Sequence, residues 1–127
     1  MTVSVLIPTI PERATLLQRA LASVSAQTLR PDEICVAVAR PDEPAWSTRD
    51  RALRMATSTH IACLDDDDEF LPHHLERCAA HQAETGADLV KRLNAAGHLI
   101  VHLPERTWVW HHHGANTSGL PERRQQR

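Results

Sequence analysis

Lysine is nearly missing from this sequence: of its 14 basic residues all but Lys91 are arginine. Basic excess is missing as well, because 16 acidic residues outweigh them and the acids are clustered, so a nucleic-acid-binding surface is not indicated. No apolar stretch is long enough to span a bilayer, and the N-terminus lacks a charged region followed by a hydrophobic one. Neither a membrane span nor a signal peptide is therefore expected, and the expected compartment is the cytoplasm. Cysteine is scarce: Cys35, Cys63 and Cys78 are odd in number and form no Cys-x-x-Cys pair, which argues against zinc and redox roles and for small buried hydrophobes in a reducing compartment. Internal repeats are absent. What is present is a 127-residue chain, long enough for one domain with a core yet short for an enzyme holding two substrates. Its arginines suit bidentate phosphate contacts.

The most informative stretch is Ile61-Ala62-Cys63-Leu64-Asp65-Asp66-Asp67-Asp68-Glu69, an apolar run ending in five consecutive carboxylates. Ile61 to Leu64, apolar at every position, reads as a central strand buried on both faces and covered by helices. The acids emerge at its C-terminal end, where the ligand crevice of an open α/β sheet lies. Two ionised carboxylates about 5 Å apart repel by roughly 3 kcal/mol at an effective dielectric of ~20, a cost a divalent cation removes. Hard oxygen donors select Mg²⁺ or Mn²⁺. In an extended segment Asp65 and Asp67 share one side and Asp66 and Asp68 the other, and the first pair is the metal candidate. Asp68 and Glu69, just before Leu71-Pro72, read as a solvated acidic start to the next helix.

Elsewhere the pattern alternates between strand and helix. Val3 to Pro8 reads as a strand ended by Pro8. Thr9 and Glu12 have capping-box spacing, Pro11 fits a first helical turn, and Ala14, Leu17, Ala20, Leu21 and Val24 recur at helical spacing. Glu33 to Ala39 is a second buried strand, which completes a βαβ unit with parallel strands. After the loop Arg40 to Ala45, Ser47 or Thr48 can cap a helix carrying Ala52, Leu53, Met55 and Ala56. Pro72 opens a third helix with Leu75, Cys78, Ala79 and Gln82 on one face, and Gly86 terminates it. Asp88 to Leu93 and His98 to His102 look like a hairpin around Asn94-Ala95-Ala96-Gly97, and Thr107 to His113 like a further strand. Glu122 to Arg127 reads as a disordered tail.

Taken together, Val3 to Thr9, Arg19 to Thr28, Pro31 to Ile34, Arg49 to Leu53 and Leu64 to Pro72 resemble the successive motifs of the inverting family 2 glycosyltransferases of the GT-A fold. The resemblance covers the nucleotide-sugar-binding half, with Asp65-Asp66-Asp67 matching the Asp-x-Asp metal motif. It implies an α/β fold of the GT-A kind, a Rossmann-like three-layer sandwich with a truncated acceptor half. The expected organisation is a single domain over 1–120, with 1–75 binding the donor and 76–120 completing the metal and acceptor side, followed by the tail at 121–127. The implied activity is metal-dependent transfer of a sugar from a nucleoside-diphosphate sugar to an acceptor, with inversion. By the resemblance Asp67 binds Mn²⁺ or Mg²⁺, Asp65 and Asp66 contact ribose or reach the metal through water, Pro8, Thr9 and Arg13 line the nucleotide pocket, and Arg49 sits near the phosphates. The metal stabilises the charge of the departing diphosphate.

Two departures stand out. The pair of aspartates that closes the family's second strand is replaced by Val38-Ala39-Arg40-Pro41, which alters base recognition unless Asp42 or Glu43 substitutes. The carboxylate base of the acceptor side normally follows well beyond the metal motif, and here Glu105 is the acid in the corresponding portion. Many relatives complete the metal site with a late histidine, which His111-His112-His113 resembles; alternation puts His111 and His113 on one face, and imidazole suits Mn²⁺ better than Mg²⁺. Two other readings stay open: a sugar-nucleotide-binding module that has lost catalysis, and a metal-dependent phosphodiesterase. The short C-terminal portion leaves room for a second copy of the chain to complete the acceptor side.

Overall fold

The structure is a computed structural model and describes residues 1–86 together with the strand pair partner at 108–109. Three parallel strands form its sheet: β1 (Val3–Thr9) lies between β2 (Glu33–Val38) and β3 (His60–Cys63). Between them run α1 (Ala14–Ser25), entered through a 3-10 turn at Pro11–Arg13, and α2 (Ala45–Met55). A short antiparallel pair, β4 (Glu69–Phe70) with β5 (Trp108–Val109), and the helix α3 (His74–Thr85) follow.

Hydrogen bonding explains how a proline sits inside the central strand. The carbonyls of Thr2 and Leu6 accept from His60 and Leu64, while those of Val3 and Thr9 accept from Asp32 and Ala39. Even positions of β1 therefore face β3 and odd positions face β2. Pro8 is even and lies past Leu6, where pairing with β3 has ended. The next donor toward β3 would be its N–H, so pairing with β3 stops at Leu6 while β1 runs on to Thr9 along β2.

The alternation of β1 also divides the core. Val3, Val5 and Ile7 pack with Ala20 and Val24 of α1, Leu75 of α3, Leu64 and Phe70, whereas Leu6 packs with Cys35, Ala37 and Ala52 on the α2 side. Helices thus cover both faces in three layers. Among the described residues β3 is an edge strand, not the central one: Ile61 and Cys63 are exposed. The longer apolar run of β1, paired on both sides, takes the centre.

Three local expectations change. Neither Thr9 nor any other side chain caps the first helix, because the Thr9 hydroxyl is drawn to Asp66 instead. Pro44 precedes α2, and the hydroxyls of Ser47 and Thr48 donate to Glu43. Leu53 and Met55, assigned to the inner face, are exposed, and Ala52 is the buried contact. Gly86 does end α3, at φ 65° with its N–H on the Gln82 carbonyl. All three cysteines are free, but only Cys35 is fully buried. Among the described residues no helix is long and apolar enough to cross a membrane. The expected hairpin at 88–102 and the tail at 121–127 lie outside the described residues, and the expected boundary at 75 falls within α3.

Candidate functional site

Parallel strands bring their carboxyl ends to one side of the sheet, and the acids follow β3 there. The Asp68 N–H bonds the Asp65 carbonyl at 3.1 Å, so the segment is a tight turn and not an extended strand. That turn cancels the alternation expected from sequence. Oxygens of Asp65, Asp67 and Asp68 all lie within 4.8 Å of one another, and Asp66 points elsewhere. Asp68, expected in solvent at a helix start, is fully buried, and Asp67 is 5% exposed. Glu69 enters β4 opposite Val109, with Arg19 Nε 3.7 Å from its carboxylate.

Asp66 has a different set of partners. Its Oδ2 accepts from the Thr9 hydroxyl at 2.8 Å and its Oδ1 from Arg13 Nη1 at 3.0 Å, all largely out of solvent. The same guanidinium nitrogen lies 3.9 Å from Asp67 Oδ2. Thr9, Arg13 and Asp66 therefore form one buried knot that joins the end of β1 to the acidic turn. Pro8 lies beside it in β1.

Arg49, on α2, reaches Asp65 at 3.4 Å with about half of each side chain exposed, a pair that solvent screens. Its guanidinium stays accessible to an anion. Burial holds the Asp65 carboxyl above its ordinary pKa; Arg49 opposes this, while Asp67 and Asp66 add to it. A divalent cation would reverse that balance, and three clustered carboxylate oxygens match the hard donors that Mg²⁺ and Mn²⁺ take. The donor set fits.

The loop after β2 is committed elsewhere. Arg40-Pro41-Asp42-Glu43 is a turn with Pro41 second, Asp42 third at φ 61°, and Glu43 N bonded to the Arg40 carbonyl, the pattern of a type II turn. The Glu43 carboxylate takes Arg51 Nε and Nη2 at 2.8 and 2.6 Å, the Ser47 and Thr48 hydroxyls and the Arg40 N–H. Arg51, with the others, holds it well below the ordinary carboxylate range. Glu43 is thus a scaffold group, occupied by its own helix and unavailable to read a base.

Of the residues singled out from sequence, Pro8, Thr9, Arg13, Arg49 and Asp65 to Asp67 come together at this end of the sheet. Glu105, His111 and His113 lie outside the described residues. Sequence reasoning missed the place of Asp68 in the cluster, and also Arg19, whose Nη2 donates to the Asp67 carbonyl at 2.9 Å. The signal for Arg19 was its helical spacing from Ser23 and Gln27.

Comparison with known proteins adds to this geometry. The sequence signature of glycosyl transferase family 2 matches residues 47–126, more than half of the chain. A search of curated proteins found no match. Among solved structures, the crystal structures of S. aureus TarS and of S. aureus TarS 1-349 in complex with UDP are similar, each with 21% identity and a TM-score of 0.56 over 69% of this chain. At that identity the likeness concerns the fold. The chain spans only 20% and 34% of the lengths of those two.

Proposed function

This chain belongs to glycosyl transferase family 2, and on that premise we propose that it binds a nucleoside-diphosphate sugar through a divalent cation and transfers the sugar to an acceptor with inversion. The observation that carries the reading is the turn that gathers oxygens of Asp65, Asp67 and Asp68 within 4.8 Å at the carboxyl end of the sheet. These three residues would hold Mn²⁺ or Mg²⁺, which when bound supplies Lewis-acid stabilisation of charge on the leaving diphosphate.

The remaining roles belong to the chain's own groups. Arg49, half exposed beside Asp65, offers a planar guanidinium to a phosphate oxygen. Thr9 and Pro8 form the wall beneath the nucleotide, and Arg13 keeps that wall fixed to the acidic turn through Asp66. β5 runs antiparallel to β4, Trp108 opposite Phe70 and Val109 opposite Glu69, and so heads toward the acidic turn. That direction supports His111 and His113 as further metal ligands. Glu105 is the proposed base that takes the acceptor's hydroxyl proton. Because one of the similar TarS structures holds UDP, uridine diphosphate sugars are the donors to try first.

Release of free sugar from UDP-sugars, followed with Mn²⁺ present, tests the reading. Slow metal-dependent release that is lost in Asp67→Ala supports a transferase. Binding without release identifies a sugar-nucleotide-binding module, and cleavage of simple phosphodiesters at a comparable rate identifies a phosphodiesterase.

A further inference from the structure

Behind the acidic turn, α1 carries three polar residues at a four-residue spacing, Arg19, Ser23 and Gln27, the last just past the helix end. Each bonds main chain of the turn or of the segment that follows it. Arg19 Nη2 donates to the Asp67 carbonyl at 2.9 Å. The Phe70 N–H donates to Ser23 Oγ at 3.1 Å, while that hydroxyl itself donates to the Ala20 carbonyl. Gln27 Nε2 donates to the carbonyls of Ser23 and Leu71 at 3.1 and 2.8 Å, and Gln27 Oε1 accepts from the Leu75 N–H at 3.0 Å.

The chemistry of these contacts sets them apart from ordinary packing. Gln27 is 5% exposed and Ser23 8%. In the Gln27 amide both donors meet carbonyls and the oxygen meets an N–H, so its orientation is determined by its neighbours. The Leu75 amide is one of the first-turn donors of α3 that lack a partner within the helix, and His73 at the N-cap makes no side-chain cap. Gln27 therefore caps α3 from another element. Thr28 extends the seam, with its N–H on the Pro72 carbonyl at 2.8 Å. From Asp67 to Leu75 the backbone is pinned at successive points to one stripe of α1.

We infer that Arg19, Ser23 and Gln27 are positioning residues that set the register of the acidic turn, so that the metal affinity of its carboxylates depends on groups that touch neither metal nor nucleotide. This rests on the reading of the turn as the metal-binding element. Outer groups that orient metal ligands commonly change metal affinity about 10- to 100-fold when removed. A purely structural role would lower stability and leave affinity unchanged.

The test is Mn²⁺ affinity by calorimetry and amide hydrogen exchange of residues 65–71, on folded wild type, Gln27→Leu and Arg19→Met. Glu33→Gln, at the opposite end of the sheet, serves as a destabilised control. Weakening of about tenfold or more in both ladder variants, with faster exchange confined to 65–71 and, in Gln27→Leu, the freed Leu75 amide, is expected. Arg19→Lys, which keeps a cationic donor, recovers most of the affinity, and Glu33→Gln binds Mn²⁺ as wild type does. Arg19→Met decides the matter if Gln27→Leu does not fold. Unchanged Mn²⁺ affinity in the folded ladder variants overturns the inference. If wild type binds no Mn²⁺, the metal reading itself fails and the inference falls with it, an outcome distinct from unchanged affinity in variants of a wild type that binds the ion.

Discussion

Replacing Arg13 with methionine tests whether the knot beneath the acidic turn is a desolvated ion pair or a screened surface contact. The guanidinium is 3.0 Å from Asp66 Oδ1 and 3.9 Å from Asp67 Oδ2, with the Arg13 side chain 19% exposed and the Asp66 side chain 6%. At an effective dielectric of ~20 these distances correspond to about 5.5 and about 4 kcal/mol of attraction, much of it offset by desolvation. Removing one partner of a buried pair typically costs about 3–5 kcal/mol, because the other charge is left without its counter-ion. Partial exposure of Arg13 puts the expected loss at the lower end, about 3 kcal/mol. Methionine keeps the apolar stem, so the loss reports charge and hydrogen bonding more than packing. Urea unfolding followed by circular dichroism at pH 7 measures it, and the double variant Arg13→Met/Asp66→Asn should fall short of the summed single losses by about 2 kcal/mol. A loss under about 1 kcal/mol for Arg13→Met, or strict additivity, would mean that solvent already screens the pair and that it is not a desolvated contact.

Other parts of the fold give further checks. Oε1 of Glu33 accepts from the hydroxyls of Ser4, Thr57 and Ser58 and from the amides of Thr57 and Ser58, which lowers its pKa to about 2. Because the folded-state value is depressed, its contribution is complete above about pH 4.5 and disappears as pH falls toward 2. Glu33→Gln should therefore melt below wild type at pH 7, and thermal scans of the two should converge near pH 2. Gly86→Ala meets no atom within 4 Å but places an L residue at φ +65°, so urea titration should show a loss of about 1 kcal/mol. Asp42→Gly, at φ 61° in an exposed turn, should be neutral or stabilise by up to about 1 kcal/mol; a clear loss would show that the Asp42 side chain has a partner in the turn.

The βα alternation, the C-terminal glycine of α3 and the end of the sheet that carries the acids were legible because each follows from local periodicity or a single special residue. What sequence misplaced depends on contacts between distant segments. Thr9 and Glu12 have the spacing of a capping box, but a buried carboxylate 57 residues away from Thr9 takes its hydroxyl. Asp65 to Asp68 alternate only if the backbone is extended, and the bond from Asp68 N to the Asp65 carbonyl curls it. Asp68, four residues ahead of Pro72, reads as a solvated helix start, yet it is fully buried; burial of that kind has no local signature. Apolar composition likewise made β3 look buried on both faces, whereas among the described residues Ile61 and Cys63 are exposed and β1 is the strand with partners on both sides.

Metal-dependent donor binding at the acidic turn is measured by calorimetric titration of UDP into wild type and Asp67→Ala, each with and without Mn²⁺. UDP binding that requires Mn²⁺ in wild type and is lost in folded Asp67→Ala is expected. UDP binding of equal strength without metal, or none to the folded wild type with Mn²⁺ present, would contradict it.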